Sequence, residues 1–182
     1  MTYAEYVAAE VESASKHEWL RGESFAMAGG TPEHASLAMS VGGELRASLR
    51  GRPCGVFSSD LRVKVEATGL ATYPDVSVVC GKPEIAADDP HAIVNPIVLI
   101  EVLSDSTEAY DRGEKFAHYR RIPSLREYVL VSQREQRIEV HRLNDGGHWE
   151  LHEASSGESV TLASIGCQLD VDEVYRDPFA SA

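Results

Sequence analysis

The chain has 182 residues, 43% hydrophobic and 25% charged, values of an ordinary globular protein that exclude a disordered tail, a collagen-like fibre and a small disulfide scaffold. A balance of 29 acids against 17 bases gives a formal net charge of −12, which argues against simple electrostatic binding to nucleic acid. No apolar run approaches the roughly 20 residues that span a bilayer, and Glu5, Glu10 and Glu12 stand where a signal peptide would carry bases.

One domain over residues 1–182 is expected from this length, with no membrane contact and a cytoplasmic location. Cys54, Cys80 and Cys167 are odd in number, widely spaced and without a CxxC pair, so they read as reduced thiols packed as small apolar residues.

Residues 2–12 predict a short helix with Tyr3, Tyr6 and Val7 at helical spacing, and 17–28 a hairpin turning near Arg21-Gly22. Thr31-Pro32 is a cap and first-turn pair for a helix over roughly 32–50, which buries Leu37, Met39 or Val41, Leu45 and Leu49 in some combination. Alternation then predicts a strand over 55–65, with Leu61, Val63 and Val65 on one face and Asp60, Arg62 and Lys64 on the other. In 73–80, Asp75, Ser77 and Val79 share a face opposite Val76, Val78 and Cys80. The run Ile97 to Leu103 is apolar on both faces except at Glu101, as in a central strand.

Asp111-Arg112-Gly113-Glu114 has capping-box spacing and predicts a helix from Asp111 to about Arg121, stopped by Ile122-Pro123. A strand over 127–132 completes a crossover unit, which sets it parallel to 97–103. Residues 137–143 and 148–153 read as a hairpin around Asn144-Asp145-Gly146-Gly147, and 159–182 as one short strand with an irregular close. The charge is uneven: residues 111–142 carry 8 bases against 5 acids, a basic stretch in an acidic chain.

The sequence contains no GxxxxGK[ST] loop, no GxGxxG after a strand and no GxSxG elbow. His148, His152 and Glu150 are explained by alternation on an exposed hairpin as well as by metal ligation. The informative residue is Glu101, because a carboxylate inside an apolar strand loses its water at a cost of several kcal/mol unless it is paired. Asp75 opens the apolar strand 76–79 in the same way. Two carboxylates on adjacent strands can hold a divalent cation through oxygen ligands; a buried ion pair and a strand-start turn are the bland alternatives. Asp60 is either a further ligand or a surface residue. Lys115, in the helix after the Glu101 strand, either reaches back to the carboxylates or faces solvent.

Asp, then a carboxylate in an apolar strand, then a lysine is the order seen in the PD-(D/E)XK nuclease superfamily, although Leu103 stands where that superfamily carries its lysine. Gly22-Glu23 with Met27-Ala28-Gly29, Tyr73-Pro74-Asp75-Val76, Glu101-Val102-Leu103-Ser104 with Ser106-Thr107, and Asp111 to Tyr119 together resemble the Uma-two family of restriction-endonuclease-like proteins, over about residues 2–175. Asp105 departs from the proline common at that position.

The resemblance implies an α/β fold, a restriction-endonuclease-like mixed central sheet flanked by helices, with an added N-terminal hairpin and a C-terminal β-hairpin. It further implies that Asp75 and Glu101, with the backbone carbonyl of Val102, hold Mg²⁺ or Mn²⁺, and that Lys115 activates the water that attacks DNA. Glu23 and His34 match further polar positions for the cleft. The expected function is metal-dependent endonucleolytic cleavage of DNA, with a homodimer as the commonest assembly. A non-catalytic binding or assembly module of the same fold, or a hydrolase of a small phosphate ester, is the alternative.

Overall fold

The computed structural model describes residues 1–27, 29–177 and 179; Ala28, within the Met27-Ala28-Gly29 match, lies outside the described residues. In chain order the elements are α1 (Tyr3–Glu12), β1 (His17–Leu20), β2 (Glu23–Ala26), α2 (Pro32–Ser48), β3 (Cys54–Ser58), β4 (Arg62–Val65), β5 (Leu70–Thr72), β6 (Val76–Cys80), β7 (Ile85–Ala86), β8 (Asp89–Ile93) and β9 (Val98–Val102). A composite helix, α3, follows: α-helical over Glu108–Tyr110, π-helical over Asp111–Lys115 and α-helical again over Phe116–Tyr119. The chain continues with β10 (Glu127–Val131), β11 (Arg137–Leu143), β12 (Trp149–Ser155), β13 (Ser159–Leu162), β14 (Cys167–Asp170) and α4 (Val171–Val174).

The central sheet has the order β12-β11-β10-β9-β6-β3. Strands β9 and β10 are parallel, joined through α3 as the crossover spacing predicts, and the other neighbours are antiparallel. Both faces of the sheet are covered, which is why β9 is apolar on both sides. One face packs Val76, Val78, Val98 and Ile100 against Val41, Leu45 and Leu49 of α2 and against Leu169, Val171 and Val174 at the C-terminal end. The other packs Val79, Leu99 and Leu130 against Tyr119 of α3 and against Val63, Val65 and Leu70. The last three belong to a second sheet of order β2-β1-β5-β4-β8-β7, into which the N-terminal hairpin is built.

Local chemistry explains the elements that match the sequence reading. Thr2 closes a capping box with Glu5 at the start of α1, Arg21 (φ 51°) and Gly22 (φ 98°) supply the left-handed turn of β1–β2, and the Thr31 side chain accepts the His34 N–H ahead of Pro32. Of the α2 alternatives, Val41 is buried and Met39 is 71% exposed.

Four readings are corrected. Residues 55–65 form two strands in different sheets, because a turn (Leu61 N–H to the Ser58 carbonyl) separates β3 from β4. Arg62 is accordingly buried rather than solvated: its guanidinium donates to Asp89 at 2.5 Å and to the Tyr73 hydroxyl at 2.7 and 2.9 Å. Asp111 does not cap a helix, since the helix begins three residues earlier at Glu108 and Asp111 lies inside it, 2% exposed. The tail folds as the β13–β14 hairpin and α4, with the Asp170 side chain accepting the Glu173 N–H. Finally, Cys54 and Cys80 form a disulfide across the directly paired positions of β3 and β6, while Cys167 is free and buried. Among the described residues no helix is long and apolar enough to cross a membrane.

Candidate active site

Strand register brings the two acids together. Strands β6 and β9 pair Val76 with Ile100, and one step further the same register sets Asp75 opposite Glu101 on one face. The Asp75 Oδ2 accepts the Val102 N–H at 2.8 Å, and the Asp75 N–H reaches Glu101 Oε2 at 3.4 Å. The π-helical turn of α3 points both Asp111 and Lys115 inward, and Tyr119 follows one turn later on the same side. Lys115 Nζ lies 2.9 Å from Glu101, 3.2 Å from Glu18 and 3.4 Å from Asp111. The Tyr119 hydroxyl donates to Glu101 Oε1 at 2.7 Å. His34, in the first turn of α2, places Nε2 3.1 Å from Asp75 Oδ2.

These groups line a cleft of about 730 Å³ whose rim includes Ser104, Thr107, Gln133 and Arg134. Its electrostatics are those of crowded carboxylates. Burial, with Asp75 and Asp111 nearby, pushes the Glu101 carboxyl up to about 8 in spite of Lys115. Burial also raises the Asp111 carboxyl. The Lys115 ammonium is held well above its ordinary value by Glu101, Glu18 and Asp111, which outweigh its own desolvation. The bond to Asp75 raises the His34 imidazole.

Of the residues expected from sequence, Asp75, Glu101, Val102, Lys115 and His34 converge on this cleft. Glu23 and Asp60 do not line it: Glu23 is exposed on β2, and Asp60, 85% exposed, pairs with Lys16 in the turn before β4. The sequence reading missed Glu18, Asp111 and Tyr119. Glu18 sits two residues before Leu20, hence on the inward face of β1, and the alternation of the hairpin was the available signal. Its carboxylate also accepts the Thr72 hydroxyl.

The basic segment 111–142 divides. Arg112, Arg134, Arg137 and Arg142 are each paired with glutamate or aspartate, whereas Arg120, Arg121 and Arg126 are exposed before β10, at the end of the sheet away from Glu101.

The residues suit a hard, water-rich cation. Among the described residues Asp75 Oδ1 has no hydrogen-bond partner and Glu101 Oε2 has only the long contact to the Asp75 N–H. Three carboxylates (Glu18, Glu101 and Asp111) surround one lysine, and a fourth, Asp75, lines the same cleft. No group of three or more His, Cys, Asp or Glu side chains arranged to hold a metal occurs among the described residues, so most ligands would be water and backbone oxygen, as Mg²⁺ tolerates.

Gly30 makes room for the histidine. A Cβ there would stand 2.8 Å from His34 Nδ1, so Gly30→Ala is expected to turn the ring off Asp75. The His34 titration midpoint followed by NMR should then fall, and an unchanged midpoint would show that the ring keeps its place.

An acid pair at the end of a parallel crossover, with a helix-borne lysine closing on it, belongs to a restriction-endonuclease-like α/β protein. The chain is a member of the Uma2 (Uma-two) family, described as "Putative restriction endonuclease", whose model matches residues 3–172. It is 36% identical over 172 residues to the "Uncharacterized protein slr1290" of Synechocystis sp., covering 94% of this chain and 90% of that one. It is 33% identical over 153 residues to "Uncharacterized protein sll1609" of the same organism, covering 84% and 86%. The fold is similar to the crystal structure of a "putative nuclease" from Anabaena variabilis, with a TM-score of 0.74, 15% identity and coverage of 93% and 96% of the two chains.

Proposed function

We propose that the protein is a Mg²⁺- or Mn²⁺-dependent endonuclease that hydrolyses DNA phosphodiester bonds. The observation that carries this reading is the convergence of Asp75, Glu101 and Lys115 in one cleft, with Lys115 Nζ 2.9 Å from Glu101. Family membership supports it.

Asp75, Glu101 and the Val102 carbonyl would hold the cation. When bound, it supplies a Lewis acid for a phosphoryl oxygen and acidifies water. The chain's own residues then have separable tasks. The Tyr119 hydroxyl fixes Glu101 Oε1 and so leaves Oε2 to the cleft. Glu18 and Asp111 hold the Lys115 ammonium beside Glu101, where it orients the attacking water and offsets charge that builds on the phosphoryl oxygens. The Val102 N–H and His34 fix Asp75 Oδ2.

The test is nicking of a supercoiled plasmid with Mg²⁺ or Mn²⁺, beside Asp75→Asn and an EDTA control. Relaxed circles with parent and metal only are expected, together with a rise in melting temperature on adding Mg²⁺ by mass action. A linear product would support a homodimer cutting both strands. No product and no melting shift would overturn the reading in favour of a non-catalytic module of the same fold. Turnover of a small phosphate ester that persists undiminished in high salt, with no cleavage of plasmid, would instead indicate a small phosphate ester as the natural substrate, which requires less basic surface than a duplex does.

A further inference from the structure

The central sheet ends in an open edge. Strand β12 is its outermost strand and pairs with β11 alone, residue for residue over the seven positions from Trp149 to Ser155. The other edges of the two six-stranded sheets are shorter: β3 has five residues, β2 four and β7 two. Natural sheets blunt a long edge with proline, lysine or a bulge, and β12 carries none of the three. Leu151 on this strand is 54% exposed.

The register decides which backbone groups are open. The Leu143 N–H donates to the Arg126 carbonyl and the Ser132 N–H to the Arg137 carbonyl. The odd-numbered residues of β11 therefore turn their N–H and carbonyl groups to β10, and the even-numbered ones turn theirs to β12. Their partners on β12 are Glu150, His152 and Ala154, which leaves Trp149, Leu151, Glu153 and Ser155 facing outward. Glu158 occupies Ser155: its carboxylate accepts the Ser155 N–H and its own N–H donates to the Ser155 carbonyl. Among the described residues the main-chain groups of Trp149, Leu151 and Glu153 have no partner.

We propose that β12 pairs antiparallel with β12 of a second copy about a two-fold axis at Leu151, so that two six-stranded sheets join into one. Three open residues with Leu151 in the middle are self-complementary. Leu151 faces Leu151, Trp149 faces Glu153 and Glu153 faces Trp149, and each pair exchanges two main-chain hydrogen bonds.

The side chains select the same register. Leu151 lies on the α3 face, in one cross-strand row with His141, Tyr128 and Leu99. There the two leucines meet, with the half-buried Trp149 of each copy to either side. On the opposite face Glu150 stands across from His152 of the second copy, a carboxylate against a ring that can donate to it; within one chain the two groups are 3.9 Å apart. Sliding one strand by two residues sets Glu150 against Glu150; sliding it the other way sets both leucines against Glu153. The axis stands perpendicular to the sheet, so α3 and the cleft of each copy lie on the same face of the joined sheet.

Sedimentation velocity of the full chain over a range of concentrations, without metal or DNA, tests the edge independently of the nuclease reading. A monomer–dimer equilibrium is expected. Leu151→Pro removes an outward N–H and no bond to β11, and Leu151→Lys sets like charges across the axis. Each should raise the dimer dissociation constant at least about tenfold. Ile85→Lys, a matching change at an exposed residue of edge strand β7, should not. Circular dichroism melting confirms that each variant folds; the lysine variant stands if the proline does not fold. Mild oxidation of Leu151→Cys should give a covalent dimer, because directly opposed residues lie about 5.5 Å apart between Cα atoms. Glu153→Cys, displaced along the strand from its copy, should not cross-link. The native cysteines do not interfere, since Cys54 and Cys80 are joined and Cys167 is buried.

A parent that stays monomeric at every concentration, a dimer that both Leu151 variants leave intact, equal loss in Ile85→Lys, or cross-linking through Glu153→Cys in place of Leu151→Cys would each overturn the pairing. A monomeric parent that nicks plasmid overturns the pairing and leaves the nuclease reading intact. A parent that dimerises through Leu151 and cleaves nothing with any metal does the reverse.

Discussion

Glu101→Gln is expected to raise the melting temperature of the metal-free protein while lowering plasmid nicking by about 10²–10³-fold or more. Glu101 is fully buried and shares Lys115 with Glu18 and Asp111. Removing its charge therefore leaves the lysine paired on two sides and removes one of the four carboxylates that repel one another. The gain is on the order of 1–3 kcal/mol once the lost ion pair is set against the relieved desolvation, or about 2–4 °C per kcal/mol in a domain of this length.

The dependence on pH has a definite sign. The Glu101 carboxyl is raised to about 8 in the fold, whereas in the unfolded chain it ionises near about 4.3. Between those values the unfolded state has lost a proton that the folded state keeps, so each step up in pH favours unfolding. Lys115, raised well above its ordinary value, stays charged throughout and adds no slope. The advantage of glutamine is thus absent at pH 4, grows up to about pH 8 and is level above it. Melting curves of both proteins in EDTA across this range measure it. A glutamine variant that melts lower at pH 8 would show that the Glu101–Lys115 pair is net stabilising, and one that still nicks would remove Glu101 from the chemistry.

The parts of the site legible in the sequence are those fixed by strand alternation. Glu101 announces itself because six apolar neighbours surround it, and Asp75 because it opens an apolar run; register then sets them opposite one another. Lys115 was legible as a position but not as an environment. Its three carboxylate partners come from β1, β9 and its own helix, and the approach of β1 depends on how the second sheet packs, through the Trp19–Ala71 pairing. Asp111 was misread for a local reason: Asp three residues before Glu fits a capping box, but the preceding Thr107–Tyr110 turn is already helical, so a π-helical turn takes the pair instead.

The same kind of tertiary override hides Arg62. Its place in a polar alternation is ordinary until α1 and β8 cover it with Tyr3, Tyr6 and Asp89. Cysteine parity gave no warning of the Cys54–Cys80 bond, because spacing along the chain carries no information on which strands become neighbours. Likewise, a count of bases over 111–142 could not show that four of the arginines are neutralised by acids of the same fold and that three others lie at the wrong end of the sheet.

At that same end, Glu127→Ala is expected to cost about 3–5 kcal/mol, a fall in melting temperature on the order of 10 °C, with nicking at lower temperature intact. Glu127 is completely buried at the start of β10. One oxygen accepts from Arg142 Nε at 2.8 Å and from the Ala163 N–H at 2.9 Å, and the other accepts from the Ser164 N–H at 3.1 Å and from its hydroxyl. A single carboxylate thus ties the central sheet to the β13–β14 turn and supplies acceptors that the turn's backbone donors find nowhere else among the described residues. Alanine takes the carboxylate acceptor at once from the Arg142 guanidinium, which keeps only the Thr161 carbonyl, and from two part-buried N–H groups, and such deletions cost more than the ion pair contributes. Glu127→Gln keeps an acceptor oxygen and the shape, so its loss should be smaller than that of alanine. Its partner in the parallel register is Val98, at the opposite end of β9 from Glu101, which is why cleavage should survive. Thermal melts of the two variants beside nicking assays separate the outcomes: an unchanged melting temperature in alanine would refute the clamp, and a folded alanine variant that no longer nicks would mean that this end of the sheet is coupled to the cleft.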